Sequence, residues 1–395
     1  MTEAEPIVSN VPGSFAWGGL RRRHPALIEQ VRAGLPWSPD RQRALTAFAE
    51  AAGDGVMEPL ARTAHDRALW TSWGRGNFGR RWRDAPFLWA ESYFYRRLLD
   101  ATGYFADGPW RGVDPFGPAK TAELATPEVA AELRALDEFA SRPLNQRADA
   151  LLGAALWGNR ADLGFRISVG AEPVAGAVDG TAAADELEVV ADDSGLFWSL
   201  LSVHDPGDVG YIADNSGREL LADLILIDHL LEARLARRVI LHVKPYPYYV
   251  SDATNADVVA VLGRIIEAGG AAGKTGARLW TAMADGRVEV RTHPFWCAPL
   301  SFHHLPADLS DQLAAATVTV LKGDLNYRRL VGDRTWPATY SFAELTDYFP
   351  SPLAALRTLK SDVVVGLGAD DVARLDATGE AWRTAGTRAL VQVRP

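Results

Sequence analysis

Three short polar clusters in the sequence carry side chains that could bind a divalent cation. The clusters are Asp214-Asn215, Ser251-Asp252 and Asp324-Asn326-Arg328. Carboxylate and amide oxygens are hard ligands, and the clusters contain neither thiolate nor imidazole. The set Asp214, Asn215 and Asp252 therefore favours Mg²⁺ or Mn²⁺ over zinc, with Co²⁺ and Ni²⁺ as further candidates. Two carboxylates and one amide leave coordination positions for water and for a substrate oxygen.

Cationic side chains lie beside the same clusters. Lys244 comes before the second cluster, Lys322 comes directly before the third, and Lys360 lies in the run LRTLK. Lysine is rare in this chain, because only five of its 41 basic residues are lysine. A divalent cation surrounded by fixed positive charges and helix N-termini suits a phosphate monoester. The chemistry of the clusters therefore indicates a metal-assisted phosphate site.

The sequence after residue 187 alternates β-rich runs with helical runs, and this pattern predicts the elements that bring the clusters together. Eight runs are predicted to be strands: ELEVVADD, VGYIADN, RRVILHVKPYP, ARLWTAM, VEVRTH, ATVTVLKGD, SDVVVGLG and TRALVQVRP. Helices are predicted over 219–236 and 256–268. The alternation predicts a three-layer α/β/α sandwich with a mainly parallel, Rossmann-like sheet. Each polar cluster follows a predicted strand, and the carboxyl ends of parallel strands share the edge where ligands bind.

The N-terminal part of the chain has a helical pattern. Residues 1–12 are predicted to form a disordered tail, 13–165 a helical domain, and 187–395 the α/β domain that binds metal and phosphate. The strongest helical pattern is APFLWAESYFYRRLLDATGYF, in which apolar positions recur every three or four residues. The run 127–164 predicts two helices that are separated at Pro143. The Gly/Ala/Pro-rich run 171–186 has no periodicity and is predicted to be a loop.

Composition argues against several classes of function. The formal net charge is −9, which argues against broad binding to nucleic acids or to anionic membranes. The most apolar run, LLADLILIDHLLEARL, contains acids and is too short to span a membrane. The single cysteine, Cys297, excludes an internal disulfide and a thiolate zinc cluster. We expect a cytoplasmic protein, because the first residues are acidic and contain no secretory signal. The oligomeric state stays open.

Six sequence blocks together resemble a known family. The blocks are FLWAESYFYRR, ALWGNRADL, YIADNSGRELLADL, HVKPYPYYVSDAT, LKGDLNYRRLVGDRTW and RTLK. In this order they resemble the damage-control metal phosphatases, specifically subfamily III, for which an acidic-residue protein methyltransferase activity has also been described. The run RTLK matches the RTxK block of that subfamily. The resemblance implies a phosphatase that depends on Mn²⁺, Co²⁺ or Ni²⁺, with Mg²⁺ also possible. It implies that the substrates are small phosphorylated metabolites, particularly sugar phosphates such as fructose 1-phosphate.

The resemblance also implies roles for individual residues. It gives the metal to Asp214, Asn215 and Asp252. The residues expected to contact the substrate are Asp214, Asn215, Asp324, Leu325, Asn326, Tyr327, Arg328 and Lys360. In the expected hydrolysis a water attacks the phosphorus in line, and Asp252 or Asp324 serves as the base. Positioning and charge stabilisation supply most of the rate of such a reaction.

Two other functions stay open at the level of sequence. The first is an S-adenosylmethionine-dependent protein carboxyl (glutamate) O-methyltransferase, in which the resemblance would place Glu219 at the cofactor. However, none of the polar strand ends carries the glycine-rich turn that close cofactor approach usually requires. The second is a sugar-phosphate sensor that binds its ligand without hydrolysis.

Local structure offers simpler explanations for some of the same residues. Asp214-Asn215 alone fits an Asx turn or a helix cap. Asp252 could cap the next helix, although Ser251 and Thr254 are also available for that. Arg329 follows Arg328 on one helix, so it is predicted to be solvated or to form a structural ion pair.

Overall fold

A computed structural model of the chain describes residues 4–158, 187–202 and 205–395. The predicted loop at 171–186 lies outside these residues. The N-terminal part is helical, as predicted, and Pro143 separates its last two α-helices. Its helices are α1 Phe15–Gly18, α2 His24–Gly34, α3 Pro39–Asp54, α4 Arg67–Trp73, α5 Phe87–Thr102, α6 Gly117–Leu124, α7 Pro127–Phe139 and α8 Ala148–Trp157, with a π-helical turn at Gly19–Arg23.

The remainder alternates strands and helices. The strands are β1 Glu188–Asp192, β2 Asp208–Ile212, β3 Arg238–Val243, β4 Val288–Thr292, β5 Val318–Lys322, β6 Leu353–Thr358 and β7 Arg388–Arg394. The helices are α9 Ser194–Leu201, α10 Gly217–Glu232, α11 Asn255–Glu267, α12 Gly270–Ala284, α13 Ala307–Ala314, α14 Gly323–Val331, α15 Phe342–Thr346 and α16 Ala369–Ala377.

The seven strands form one sheet with the order β1-β7-β6-β5-β2-β3-β4. Strands β2 to β6 are mutually parallel, β7 pairs antiparallel with β6, and β1 is parallel to β7. The predicted mainly parallel α/β fold is therefore confirmed. The chain runs outward from β2 through β3 to β4 and then returns to place β5 on the other side of β2. The order of strands thus reverses between β2 and β5, which is where open α/β sheets bind ligands.

Helices cover both faces of the sheet. Successive side chains of a strand point to opposite faces, and Tyr211 and Ile212 of β2 accordingly lie in two different hydrophobic clusters. Strands β2 and β5 are buried along their whole length. Their sequences are therefore nearly continuous apolar runs. These observations give the three layers that the sequence predicts.

The packing does not follow the predicted domain boundary at residue 165. Helices α7 and α8 contribute Leu136, Leu151 and Trp157 to the core cluster of the sheet. Helices α2 to α5 form a separate aromatic-rich cluster, which also includes Tyr248 and Leu325 from the α/β part. The helical part is therefore divided between two cores.

Three local predictions are wrong. The run ARLWTAM lies in α12, because Leu279 and Ala282 also have helical spacing and seven residues cannot distinguish the two periods. The run SDVVVGLG is not a strand; the strand is LAALRT, which ends two residues before it. The tail that was predicted to be disordered forms backbone hydrogen bonds in its described part. The amide of Ile7 donates to the Asp333 carbonyl (3.1 Å), and the amide of Ser9 donates to the Arg83 carbonyl (3.1 Å).

Candidate active site

The polar residues that follow β2 and β3 meet directly. Asn215 and Asp252 form an antiparallel backbone bridge. The Ala253 amide donates to the Asp214 carbonyl (2.8 Å), and the Ser216 amide donates to the Ser251 carbonyl (2.6 Å). Thr254, with Asp257, caps α11, so Asp252 is not needed as a cap. The structure therefore brings together the first two polar clusters of the sequence, which lie almost forty residues apart.

A hydrogen-bond network joins the side chains of this region. The Asn215 amide nitrogen lies 2.9 Å from Asp214 Oδ2 and 2.9 Å from Glu219 Oε2. Ser251 Oγ donates to Asn215 Oδ1 (2.5 Å). Asn215 is half-buried, whereas Asp214 and Asp252 are buried. Asn215 thus fixes Asp214, which follows β2, and Glu219, which lies in the first turn of α10.

Two buried lysines are placed beside these acids, as their positions in the sequence suggested. Lys244 Nζ lies 3.3 Å from Asp252 Oδ2. Lys322 Nζ lies 2.6 Å from Asp223 Oδ1 and 3.3 Å from Glu219 Oε1, and it donates to the Ala155 carbonyl of α8 (2.6 Å). Both lysines are at most 2% exposed.

A third lysine at the site was missed by sequence reasoning. Lys120 of α6 donates to the Asp252 carbonyl (3.1 Å) and to Asp257 Oδ2 (2.9 Å), and it pairs with Asp114 (3.1 Å). It therefore ties the N-terminal helices to the loop that carries Asp252. The rarity of lysine was the one available signal, because Lys120 is among only five.

We expect Lys120→Met to lower the free energy of unfolding by about 1–3 kcal/mol, because it leaves buried acceptors without their donor. Urea denaturation of the purified protein measures this change. The matched control is Lys274→Met, which removes an exposed lysine and should change stability by no more than about 0.5 kcal/mol. Equal effects of the two substitutions would contradict the role assigned to Lys120.

Burial and mutual repulsion disfavour negative charge at the acids of the site. Burial raises the pKa of Asp214 well above its usual range, Glu219 and Asp252 raise it further, and lysines offset only part of this. Burial likewise raises the pKa of Asp252 to about 7, against the opposing charge of Lys244. The one recorded ion-pair partner of Asp252 Oδ2 among the described residues is Lys244. A bound cation would relieve the repulsion between the acids.

The oxygen atoms of Asp214, Asn215 and Asp252 therefore fit a hard divalent cation, but the two carboxylates alone do not complete its coordination. Among residues 4–158, 187–202 and 205–395, no three acidic, imidazole or thiol side chains are grouped closely enough to hold an ion by themselves. The Asn215 amide or oxygens from water and substrate must complete the coordination. Oxygen-only ligation with incomplete protein coordination is typical of Mg²⁺ and related ions.

The pKa of Asp252 leads to a prediction about stability. Because the folded-state pKa of about 7 exceeds the ordinary value of 3.8, the ionised carboxylate costs folding free energy that develops as the pH rises through this interval. We therefore expect metal-free Asp252→Asn to melt at a higher temperature than the metal-free wild type at about pH 8, and the gain to shrink towards about pH 5. Thermal melts in a chelating buffer measure the difference.

Added Mn²⁺ supplies the control for this experiment. An ion that binds only the folded state stabilises it by mass action, so Mn²⁺ should raise the melting temperature of the wild type and leave Asp252→Asn almost unchanged. If the gain of the variant were the same at both pH values, burial of the Asp252 charge would not be its cause.

The turn after β5 contacts Asp214 closely. Gly323 begins α14 with a φ of +80°, and a Cβ at this position would lie 1.9 Å from Asp214 Oδ2. Only glycine combines this backbone conformation with such a close approach. The third polar cluster is therefore held against the first.

Asp324 is held by the end of β6 and by the segment that follows it. Arg357 Nε (2.9 Å), Ser361 Oγ (3.0 Å) and the Lys360 amide (3.4 Å) all donate to Asp324 Oδ1. Burial alone would raise the pKa of Asp324, but the positive charge of Arg357 lowers it below its ordinary value. The half-buried Lys360 follows the carboxyl end of β6. Lys360 therefore lies at the ligand-binding edge of the sheet, where its charge acts on Asp214 and Glu219.

The other residues expected to contact substrate lie within α14 and have partners inside the protein. Leu325 packs in the aromatic cluster, and the Tyr327 hydroxyl donates to Gln392 (2.9 Å). The Asn326 amide donates to the Ala213 (3.1 Å) and Lys322 (2.8 Å) carbonyls, although its buried Oδ1 has no partner. Arg328 pairs with Glu91 (3.0 Å) and Asp333 (2.7 Å).

Arg329 is neither solvated nor in an ion pair with a described acid, so that prediction is wrong. Its guanidinium is fully buried and donates to the carbonyls of Leu300 (2.8 Å), Trp296 (3.1 Å) and Phe295 (2.8 Å). The rings of Phe295 and Phe302 also cover it. Arg329 thus fixes the loop after β4.

A strained turn beside Asp252 was also missed. Tyr249 and Val250 adopt left-handed φ values of 43° and 60°, which are unusual for a bulky residue and for a β-branched residue. Strain of this kind persists where the surroundings enforce it, and it is concentrated at functional sites. The Tyr249 ring stacks on Tyr95 of α5 at 4.7 Å.

The fold and the site define an α/β protein whose acids and lysines converge at the topological switch point of a parallel sheet. The chain belongs to the damage-control phosphatase ARMT1-like domain family, whose model matches residues 20–375. It is 28% identical to damage-control phosphatase ARMT1 of Danio rerio (99% of this chain, 97% of the relative). It is 30% identical to the Bos taurus protein and 29% identical to the Homo sapiens protein, in each case over 96% of both chains.

Family membership supports a phosphatase that acts on damaged metabolites. A solved DUF89 family protein from Pyrococcus horikoshii aligns with a TM-score of 0.47 and 14% identity, over 90% of this chain and 94% of that chain. Within the described residues, no helix combines the length and apolar character needed to cross a bilayer.

Proposed function

We propose that this protein is a metal-dependent phosphatase of small phosphorylated metabolites, with sugar phosphates such as fructose 1-phosphate as its first expected substrates. The observation that carries the proposal is the meeting of the turns that hold Asp214 and Asp252, which are joined by backbone contacts and whose buried carboxylates repel each other. Subfamily III membership and a cytoplasmic location stay predictions. We expect no nucleic-acid or membrane partner, because the net charge is −9.

Asp214, Asn215 and Asp252 would hold the cation, for which Mn²⁺, Co²⁺, Ni²⁺ and Mg²⁺ are the candidates. When bound, such an ion neutralises phosphoryl charge and orients the group for in-line attack. The amino end of α14 lies against Asp214, and the charge of Lys360 acts on Asp214 and Glu219, so both favour an anion beside these acids. The turns after β2 and β3 hold Asp214, Asn215 and Asp252 in fixed positions. Little reorganisation of these side chains is therefore needed during the reaction.

Asp252 and Asp324 remain the two candidate bases, and their surroundings differ. Asp324 accepts three hydrogen bonds and has a lowered pKa, so it is a weak base that positions the Lys360 segment. Asp252 has a raised pKa in the metal-free protein. Because a bound cation would lower the pKa of Asp252 again, both acids stay candidates for the proton of the attacking water. The internal partners of Arg328, Asn326 and Tyr327 favour a structural role for these residues.

A phosphate-release screen tests the proposal. Sugar phosphates and cofactor phosphates are incubated with the protein and Mn²⁺, Co²⁺, Ni²⁺ or Mg²⁺, with a chelator as the control. We expect release of inorganic phosphate only with a divalent ion. Tight binding of a sugar phosphate with no release over hours would indicate a sensor instead. Micromolar calorimetric binding of S-adenosylmethionine without metal would support the methyltransferase alternative. In the structure, Glu219 is engaged by Lys322 and Asn215.

We expect Lys360→Gln to lower kcat/KM for a sugar phosphate by about 10²-fold, because it removes a fixed positive charge from the phosphoryl site. Steady-state phosphate release measures this loss, and calorimetry with Mn²⁺ should give an unchanged dissociation constant. Lys274→Gln, at an exposed lysine on α12, is the control and should retain full activity. A loss of Mn²⁺ binding in Lys360→Gln would argue against a role confined to the substrate.

A further inference from the structure

A second cavity lies far from the acids of the candidate active site. It has a volume of about 220 Å³ and is a partly open cleft between α7, α8, α10 and α12. Glu219 lies in the first turn of α10, whereas the cavity is lined by Asp228, His229 and Glu232 in its last turns. Ten helical residues, or about 15 Å, separate Glu219 from His229. The two sites therefore share one helix but no lining residue.

The lining of this cavity is partly apolar and partly charged. Leu136, Phe139, Leu151 and Ile225 line it, and each is at most 4% exposed. Ligand pockets commonly combine an apolar lining with a few polar groups, and they usually measure about 300–1,000 Å³. A cavity of this size fits a ligand smaller than a typical drug molecule.

One polar side chain in the wall of the cavity lacks a partner. His229 is 3% exposed, and its Nδ1 is buried without a hydrogen bond. Buried polar atoms are normally paired, so an orphaned one needs an explanation. The ring contacts Trp198 edge-on at 6.4 Å. Because burial also lowers its pKa, the imidazole is neutral, and Nδ1 can serve a ligand as donor or as acceptor, depending on the tautomer.

The charges around the cavity do not balance. Arg278 pairs with Asp228 (2.9 Å), and Arg147 lies 3.7 Å from Glu232. Lys274 of α12 also lines the cavity, is exposed, and has no acid within ion-pair distance among the residues that the structure describes. The lining therefore carries one more positive than negative charge, beside the apolar side chains of α7, α8 and α10.

We infer that this cavity binds a small organic anion with an apolar body and a single acidic group, such as an aromatic or aliphatic carboxylate. The body packs against the buried side chains of α7, α8 and α10. The acidic group lies near Lys274, and His229 provides a hydrogen bond. This site is distinct from the proposed phosphatase site, so the two can fail independently.

Nuclear magnetic resonance of the ¹⁵N-histidine-labelled protein tests this inference. The probes are benzoate, phenylacetate and hexanoate, added to about 10 mM so that millimolar dissociation constants are detected. The His229 signals are assigned by their loss in His229→Gln. We expect at least one probe to shift these signals saturably. Lys274→Met should weaken that binding by about tenfold, and the neutral analogue benzamide should bind less well than benzoate.

Ala271→Phe places a large ring at the rim of the cavity and should abolish the shifts, while Lys274→Met should keep full phosphatase activity. The inference is overturned if none of the three probes shifts the His229 signals. It is also overturned if benzamide binds as well as benzoate, or if Lys274→Met binds the anion as tightly as the wild type, because either result removes the role of charge.

Discussion

Asp214→Asn is expected to lose phosphatase turnover by at least about 10³-fold, because one of the two metal-binding carboxylates is replaced by a neutral amide. Asparagine has nearly the same shape, so it should fit against Gly323 without a clash. The carboxyl of Asp214 carries a strongly raised pKa in the metal-free protein. The neutral variant should therefore fold at least as well as the wild type.

Two measurements separate this loss from a general defect. Calorimetry should show that Asp214→Asn no longer binds Mn²⁺ in the range where the wild type binds it, while the melting temperature without metal is retained. Asp311→Asn, at an exposed acid on α13, should behave as the wild type in both assays. Metal-dependent hydrolysis by Asp214→Asn near the wild-type rate would refute the assignment of Asp214 as a metal ligand.

Lys322→Met is expected to lower the free energy of unfolding by about 3–5 kcal/mol, because it leaves two buried acids without their cation. Lys322 Nζ contacts Asp223, Glu219 and the Ala155 carbonyl, and the side chain is 1% exposed. Burial raises the pKa of Asp223 to about 6 even with this lysine present. Urea denaturation at about pH 7.5 measures the loss.

A double substitution shows whether uncompensated charge is the cause. Lys322→Met combined with Asp223→Asn removes one acid together with the lysine, so it should recover part of the stability. The single variant should also be less unstable at low pH, where the two acids are protonated. A cost of less than about 1 kcal/mol, or the same cost at every pH, would contradict this account.

The sequence predicted the strands that carry the site because those strands are buried on both faces. Burial makes β2, β3 and β5 apolar, and the first polar residues after each strand mark its carboxyl end. The meeting of Asp214 with Asp252 follows from the parallel order of neighbouring strands. Lys360 was expected before a strand, and it lies instead after β6. It reaches the same edge because β6 is parallel to β5.

The roles of the residues in α14 could not be derived in this way. An α-helix turns by about 100° per residue, so the residue at which it begins decides which side chains face the crevice. The helix begins at Gly323, and Tyr327 and Arg328 point to partners elsewhere. Lys120 reaches Asp252 from α6, more than 130 positions earlier. No local pattern encodes a contact between such distant segments.

The distribution of lysine has a practical consequence for attaching labels. Lys120, Lys244 and Lys322 are buried and Lys360 is half-buried, whereas Lys274 is exposed. Amine-reactive dyes, biotin esters and activated sensor chips should therefore acylate Lys274 before the other lysines. Such reagents would leave the acid-rich crevice open while they obstruct the opening of the cavity between α7, α8, α10 and α12. Immobilisation through cysteine is no alternative, because Cys297 is buried.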